Sequence, residues 1–582
     1  MSRRIIKSLP DMGKARNRMD SPKTVREPLI VPPAVAEFGK GRAYLIKTFG
    51  CQGNVRDEEI LAGYLEAAGM HRTEIESEAG LVIINTCAVR ENAEDKVYGE
   101  IGKFKVNHQK DPSFVLCVCG CMMQETGVAE KLVKSYPYVN LIFGTHNLSN
   151  ILSLLDERLA RKKDLVDVLS YPGDIVENLP SIRLDAYKAF VNIGYGCDKF
   201  CTYCIVPYTR GRERSRARED IIKECQELVE EGYQEITLLG QNVNSYGKDF
   251  HDGTSFATIL EDVAKLGIPR LRFMTSHPWD FSDEMLDVIA KYDNIMPCIH
   301  LPVQSGSTTM LRRMGRRYTR EQYLDLVRRI REKIPGCALT TDIIVGFPNE
   351  TEEEFEDTLT LCEEVKYDAA FTFLYSPRKG TPAAALEDDV PDEVKHERFN
   401  RLLKVVEAGV MSHSSQMVGK TYKVLVDGPS KKNERVLSGY TETNKLVNFE
   451  GPAYLKGQIV DVEIVEDHAF SMIGKLTKDP LIILAEKAAE SLKEEPEAIA
   501  FLEAKKAVEE SPSLIELRGQ IEKAQKAMVQ KAADSDDEAY EKAKNEYLSL
   551  MNSYKKDPVV LNYEARKDDL EELLRIVKGT LS

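Results

Sequence analysis

Six short apolar runs, KAFVNIG, QEITLLG, RLRFMTS, MPCIHLPV, ALTTDIIVG and AAFTFLYS, recur between about Tyr187 and Met411, each followed by an amphipathic stretch long enough for a helix. Strands separated by helical crossovers pair in parallel, because a parallel neighbour needs a long connection. Six such units in succession predict a six-stranded parallel partial barrel, whose site lies at the C-terminal ends of its strands. A tighter version of the same alternation runs from Arg42 to about Arg161. There AYLIKTF, LVIIN, FVLCVCG and VNLIFG alternate with helical stretches near Asp57 to Ala68, from Glu91 and from Glu125, which predicts a parallel sheet covered by helices.

Both regions carry cysteines where such folds place ligands. The stretch GCDKFCTYC follows the first barrel strand and holds Cys197, Cys201 and Cys204 at C-x3-C-x2-C spacing. Three thiolates on one loop hold three irons of a 4Fe-4S cluster and leave the fourth open to a small molecule. A zinc site is the alternative, but zinc wants a fourth Cys or His at matching spacing and none follows nearby. In the N-terminal region Cys51 (TFGCQGN), Cys87 (NTCAVREN) and Cys121 (CGCMMQ) each sit just past the end of one of the first three strands. Those ends lie along one edge of a parallel sheet, so the three converge into a second three-thiolate site. Cys117 and Cys119 share the face of Cys121 by strand alternation but do not clear the strand; they read as core residues, and whether either can substitute for Cys121 stays open. Cys225, Cys298, Cys337 and Cys362 read as packed thiols.

Polar and glycine-rich turns follow the later barrel strands: Gly240, Gln241 and Asn242 in GQNVNSYG, Ser276 in SHP, Gln304 and Ser305 in QSGS, and the turn GFPNET. Glycine admits close approach of backbone to ligand, and amides and hydroxyls hold a ribose or carboxylate. Arg210, Arg212, Arg214, Arg216 and Arg218 recur at every second position; in an extended segment they share one face, suited to RNA phosphates. A solvated charge stripe is the alternative.

A chain of 582 residues predicts about three to five domains. Twelve cysteines are too few for a disulfide scaffold, so a reducing, cytoplasmic setting is expected. No segment approaches the roughly 20 apolar residues that span a bilayer. The net charge of -15 opposes indiscriminate binding to nucleic acid while leaving room for a local basic groove. Residues 1–40, rich in Pro, Arg, Lys and Ser, read as a flexible tail. The first α/β domain is expected over 41–160 and the barrel over 183–412. Residues 416–478 switch to β-rich runs punctuated by glycine, which predict a small β-barrel. Residues 481–582 are helix-forming, broken near Pro496, Pro512 and Pro558, and more acidic than basic.

The C-x3-C-x2-C loop resembles the signature of radical S-adenosylmethionine (SAM) enzymes. Together with TFGCQGN, NTCAVRENAEDK, CTYCIVPYTRGRERSR, LLGQNVNSYG, HLPVQSGS, TTDIIVGFPNET and YSPRKGTPAA it makes the chain similar to MiaB-type tRNA methylthiotransferases over about Arg42 to Lys478. The resemblance implies that Cys197, Cys201 and Cys204 bind the SAM-cleaving cluster, that Cys51, Cys87 and Cys121 bind an auxiliary cluster, and that Tyr203 lies near the adenine of SAM. It further implies a TRAM RNA-binding domain at 416–478, a tRNA anticodon loop as partner, and an external electron donor and sulfur source. Gln52 after Cys51 matches the group acting on isopentenyladenosine at position 37; relatives acting on threonylcarbamoyladenosine, or a noncatalytic iron-sulfur RNA-binding or regulatory protein, are the alternatives. Gly53 departs from the family, which usually carries a larger residue there. Residues 481–582 resemble the helical YlbF/YmcA family and read as a fused module that binds a protein partner; an inert helical extension is the alternative.

Overall fold

The computed structural model describes residues 4–15, 23–26, 28–88, 91–430, 433–468, 470–533 and 537–581. They form two compact units, residues 1–477 and 478–582. Among the described residues no helix is long and apolar enough to cross a membrane.

The first unit opens with a seven-stranded sheet in the order Arg4–Ser8, Asp164–Asp167, Leu141–Phe143, Val115–Gly120, Leu81–Thr86, Ala43–Phe49, His71–Arg72. Every neighbouring pair is parallel. Leu141–Phe143, Val115–Gly120, Leu81–Thr86 and Ala43–Phe49 are the strands the sequence pattern marks; Arg4–Ser8, Asp164–Asp167 and His71–Arg72 carry charged residues in place of a continuous apolar run. Side chains alternate between two buried layers. Tyr44, Ile46, Leu81, Ile83, Val115, Cys117 and Cys119 point into one layer, while Leu45, Val82, Ile84, Leu116 and Val118 point into the other. A sheet covered on both faces needs apolar residues at successive positions, which is why its strands read as continuous apolar runs.

The expectation of a flexible tail over residues 1–40 is corrected for residues 4–15, 23–26 and 28–40; its other positions lie outside the described residues. Arg4–Ser8 forms an edge strand against Asp164–Asp167, Thr24–Val25 pairs with Ile175–Val176, and Pro33–Gly39 is a helix with proline in its first turn. Arg4 donates to the carbonyl of Val133 at 3.3 Å, and Asp11 N donates to Ser170 Oγ at 2.9 Å. The partners lie some 130 to 160 residues away, so local composition gave no sign of them.

All six strands of the second region are present. Lys188–Asn192, Glu235–Leu239 and Arg270–Phe273 pair in parallel, as do Cys298–His300, Ala338–Val345 and Ala369–Leu374. A parallel bridge from Leu271 to Ile295 joins the two halves into one partial barrel. A single core of aliphatic and aromatic side chains fills it and packs its outer helices. Residues Thr421–Leu476 then close into a five-stranded barrel. It is held to the larger barrel by Arg270, buried, which donates to the carbonyls of Tyr440 and Lys423 at 2.8 and 2.6 Å, and by Arg272, which reaches those of Thr441 and Glu442.

The second unit consists of helices Pro480–Lys493, Pro496–Glu510, Pro512–Ala533, Asp537–Lys556 and Pro558–Leu581. Four of the five start on proline, whose fixed φ suits the first helical turn and whose missing N–H costs nothing there. Val508, Leu514 and Val560 form a small core, while Leu481, Val529 and Ile576 stay exposed.

Candidate active site

Three strand ends of the first sheet carry the distant cysteines. Cys51 caps helix Gln52–Ala67 directly after strand Ala43–Phe49, Cys87 follows Leu81–Thr86, and Cys121 opens a 3-10 turn after Val115–Gly120. A buried amide knot lashes these ends together. Asn54 Nδ2 donates to the Thr86 carbonyl at 3.1 Å, Asn85 Nδ2 to the Asn54 carbonyl at 2.8 Å, and Thr86 Oγ1 to the Cys119 carbonyl at 2.6 Å. Gly120 makes the close approach possible: at φ +100 a Cβ would lie 2.3 Å from the Thr86 carbonyl oxygen. Cys117 and Cys119 lie within the strand, fully buried under the covering helices.

The three thiols feel one another. A hydrogen bond with Cys87 and the charge of Arg210 pull the Cys51 thiol down to about 5, against desolvation. Burial pushes Cys121 up, and Arg210 offsets part of that. Arg210 donates from Nε to Cys121 Sγ at 3.1 Å and from its two Nη atoms to the carboxylate of Asp57 at 3.3 and 2.6 Å. Ile205 and Tyr208, just after Cys204 in sequence, pack with Ala88 and Cys121. The segment leaving the barrel loop therefore forms a wall of the other cysteine site.

In that loop, Gly196 has φ +76, and a Cβ on it would strike the carbonyls of Arg212 and Gly211 at 2.2 and 2.5 Å. Cys197 N donates to the Gly211 carbonyl at 3.1 Å, and Cys204 N to that of Cys201 at 3.0 Å. Burial, then the charge of Cys201, pushes the Cys204 thiol up to about 12, and burial, then Cys204, raises Cys197 further. Burial thus opposes ionisation of Cys197 and Cys204, and a nearby cation would offset that. Arg316, buried, faces this loop: it donates to Tyr203 Oη at 3.1 Å, Tyr318 Oη at 2.6 Å and the Pro302 carbonyl at 2.6 Å, with Nη1 3.9 Å from Cys201 Sγ. Among the described residues no three His, Cys, Asp or Glu gather tightly enough to hold a single metal ion. Cubane clusters keep their ligand sulfurs farther apart than a lone tetrahedral zinc does.

The rim residues divide into two kinds. Gln241 Oε1 accepts from Gly196 N, fixing the cysteine loop to the second strand's turn. Ser305 Oγ lies 3.2 Å from Thr358 Oγ1, and Gln304, at φ +71, bridges to Ile343 through its backbone. These three shape the rim. Asn242, Ser276 and His277 are the other kind: each is buried, and Asn242 Oδ1, Ser276 Oγ and His277 Nε2 have no partner among the described residues. Unsatisfied buried polar atoms are costly, and three along one barrel mouth fit a polar ligand. Burial, with Arg316 nearby, holds the His277 ring neutral. Gly240 lies at the start of the same turn, a Cβ there meeting Val243 at 3.4 Å.

The five alternate arginines do not form one face, a correction to the extended reading. Only Arg214–Ser215 is strand, and Arg218 opens a helix. Arg210 and Arg216 are buried, the latter bound to Glu177 and Glu224 at 2.6 and 2.7 Å. Arg212 pairs with Asp198, Arg218 with Asp262, and Arg214 donates to the carbonyls of Pro172 and Gly173. Asp57, 153 residues away, drew Arg210 inward, while the acidic partners of Arg212, Arg216 and Arg218 lie 8 to 44 residues from them. Arg316 and Asp57 were the functional candidates that sequence reasoning did not single out. The run holding Arg312, Arg313, Arg316 and Arg317 shows in sequence only as charge; that Arg316 turns inward shows only in the fold.

Family models match the chain in the expected order. They are the Radical SAM superfamily over residues 191–362, the Uncharacterized protein family UPF0004 over 43–144, the TRAM domain over 415–477, and Control of competence regulator ComK, YlbF/YmcA over 482–582. The chain is 54% identical over 466 residues to a Staphylococcus haemolyticus protein named tRNA-2-methylthio-N(6)-dimethylallyladenosine synthase, covering 80% of this chain and 91% of that one. It is 51% identical to proteins of the same name from Oceanobacillus iheyensis and Geobacillus kaustophilus, each over 81% of this chain and covering 91% and 89% of theirs. The fold, the two cysteine sites and this similarity agree, and the chain belongs to the radical SAM tRNA-2-methylthio-N(6)-dimethylallyladenosine synthase family.

Proposed function

We propose that this protein adds a methylthio group to C2 of N6-isopentenyladenosine at position 37 of tRNA. The observation that carries the reading is the pair of three-cysteine sites, each one ligand short of closing a 4Fe-4S cluster, joined by the segment 205–210. We assign Cys197, Cys201 and Cys204 to the SAM-cleaving cluster and Cys51, Cys87 and Cys121 to the auxiliary one. When bound, the clusters and SAM supply one-electron cleavage, sulfur and a methyl group, which no ordinary acid or base at an unactivated C–H can replace.

The chain's own residues bind and orient. Arg316 places positive charge beside Cys201 and holds the hydroxyl of Tyr203. Gln241 pins the loop at Gly196. Asn242 Oδ1, Ser276 Oγ and His277 Nε2 offer donors and acceptors for the polar groups of SAM. The domains in this reading are 41–160, 183–412, 416–478 and 481–582; the small barrel at 416–478 is the RNA-binding module, a role the TRAM match over 415–477 supports, and the setting is cytoplasmic, among tRNA substrates. The relatives' shared name favours the dimethylallyl substrate over threonylcarbamoyladenosine. Two sites built for clusters plus an orphan-lined rim favour an enzyme over a noncatalytic RNA-binding protein.

The test is anaerobic incubation of reconstituted, reduced protein with SAM and tRNA carrying isopentenyladenosine, followed by nucleoside analysis. The methylthio nucleoside is expected from that tRNA, and far less from the unprenylated or threonylcarbamoylated forms, because a site selective for the prenyl group loses its binding energy when that group is missing or replaced. Equal yields from all three would overturn the substrate assignment.

A further inference from the structure

Arg210 is out of place as an RNA-binding residue. It is buried, it follows the radical SAM loop by six residues, and its side chain leaves the barrel to end in the other domain. There Nε donates to Cys121 Sγ at 3.1 Å, and the two Nη atoms form a fork on Asp57, itself buried in helix Gln52–Ala67. The far end of the guanidinium also reaches toward Cys51: a Cβ built on Gly53 would lie 3.6 Å from Cys51 Sγ and 3.9 Å from Arg210 Nη2. Glycine at this position leaves that gap free of a side chain. The backbone around Arg210 is fixed as well, since its N–H donates to the Val206 carbonyl at 2.8 Å and Thr145 Oγ1 donates to the Thr209 carbonyl at 2.7 Å.

We propose that Arg210 is a positioning residue of the sulfur-bearing site: through its charge-assisted hydrogen bond it ties the Cys121 sulfur to Asp57 and raises the reduction potential of a cluster held there. The proposal rests on the assignment of Cys51, Cys87 and Cys121 to the auxiliary cluster. Hydrogen bonds and positive charge at ligand sulfurs stabilise the more negative, reduced cluster, so their removal lowers the potential. Only an arginine presents donors in a planar fork that can serve a carboxylate and a thiolate together; lysine keeps the charge without the fork. Because Arg210 belongs to the same segment as Cys204, the contact also fixes the distance between the two cysteine sites.

The experiment uses full-length, anaerobically reconstituted protein carrying Cys201→Ala, so that only the auxiliary cluster remains to be read. Its midpoint potential is measured by EPR-monitored titration with Arg210 intact, as Arg210→Lys and as Arg210→Gln. The expected result is a negative shift in Arg210→Gln worth about tenfold in the reduction equilibrium, about 59 mV for one electron, with a smaller shift in Arg210→Lys. Loss of the cluster in Arg210→Gln with a shifted, retained cluster in Arg210→Lys supports the proposal equally. An unchanged potential in both variants with the cluster retained overturns it, as does collapse of the fold in both, which would make Arg210 a structural residue only. Absence of any cluster from Cys201→Ala with Arg210 intact would instead sink the assignment of the site, a separate failure.

Discussion

At the scale of single residues, the two cysteine sets have separable expected effects. Cys201→Ala should abolish formation of 5′-deoxyadenosine while leaving about four of the eight irons expected of two cubane clusters. Cys87→Ala should do the reverse, keeping SAM cleavage and losing the methylthio product; wild-type product from it would refute Cys87 as a ligand. Iron analysis alongside product chromatography reads both. Arg216 makes a different case, because it bridges Glu177 and Glu224 in a buried network that also includes Arg56 and Arg183. Removing one member of a buried charge set strands the others. Arg216→Ala should therefore lower stability by about 3–5 kcal/mol in chemical denaturation, although this arginine touches neither cysteine site.

At the scale of elements, what matters is how strand ends are turned. Gly120→Ala places a methyl group 2.3 Å from the Thr86 carbonyl at a φ that alanine rarely adopts. It should destabilise the fold by more than the roughly 1 kcal/mol that alanine gains over glycine at a compatible φ, and lower iron occupancy at the first-domain site before that at the barrel loop. In the barrel, the turn after Ala338–Val345 is closed by Glu350, which accepts from Gly346 N at 2.8 Å and from Arg398 at 3.2 Å. Burial nonetheless raises its carboxyl from 4.5 to about 7. A raised carboxyl pKa favours the folded state most below pH 4.5, and that contribution is lost as pH rises through about 7. Relative to Glu350→Gln, the wild type should thus lose up to about 3 kcal/mol between those values and nothing further above them. Melting temperatures of the two proteins across pH 4.5 to 8 would show it, and parallel curves would refute it.

At the scale of the whole molecule, residues 478–582 form a unit of their own, and every cysteine and both barrels lie before it. Deleting residues 481–582 should leave turnover on tRNA within about twofold of wild type, well under 1 kcal/mol in activation free energy. A truncated protein that holds both clusters but loses most of its turnover would show that the helices act on substrate. The acidic excess of residues 481–582 opposes direct contact with RNA phosphates.

Sequence alone determined the elements whose signal is local. The apolar runs of the four central strands of the first sheet could be read because a strand covered on both faces must be apolar at successive positions, and those of the six barrel strands because they recur between helical stretches, even where Ala369–Leu374 leaves Phe371 and Phe373 exposed. The cysteine positions could be read because the ends of parallel strands share one edge whatever the details of packing. Tertiary structure alone decided matters that depend on partners distant in the chain. It drew Arg4–Ser8 onto a sheet edge formed by residues near 165, and it set Arg210 against Asp57 and Cys121 instead of leaving it in a stripe facing solvent. It also turned Arg316 inward toward Cys201 while Arg312 and Arg317, in the same run, stayed exposed. A charged side chain is buried only where a counter-charge or a set of acceptors awaits it, and the spacing of residues along the chain carries no record of where those acceptors will be.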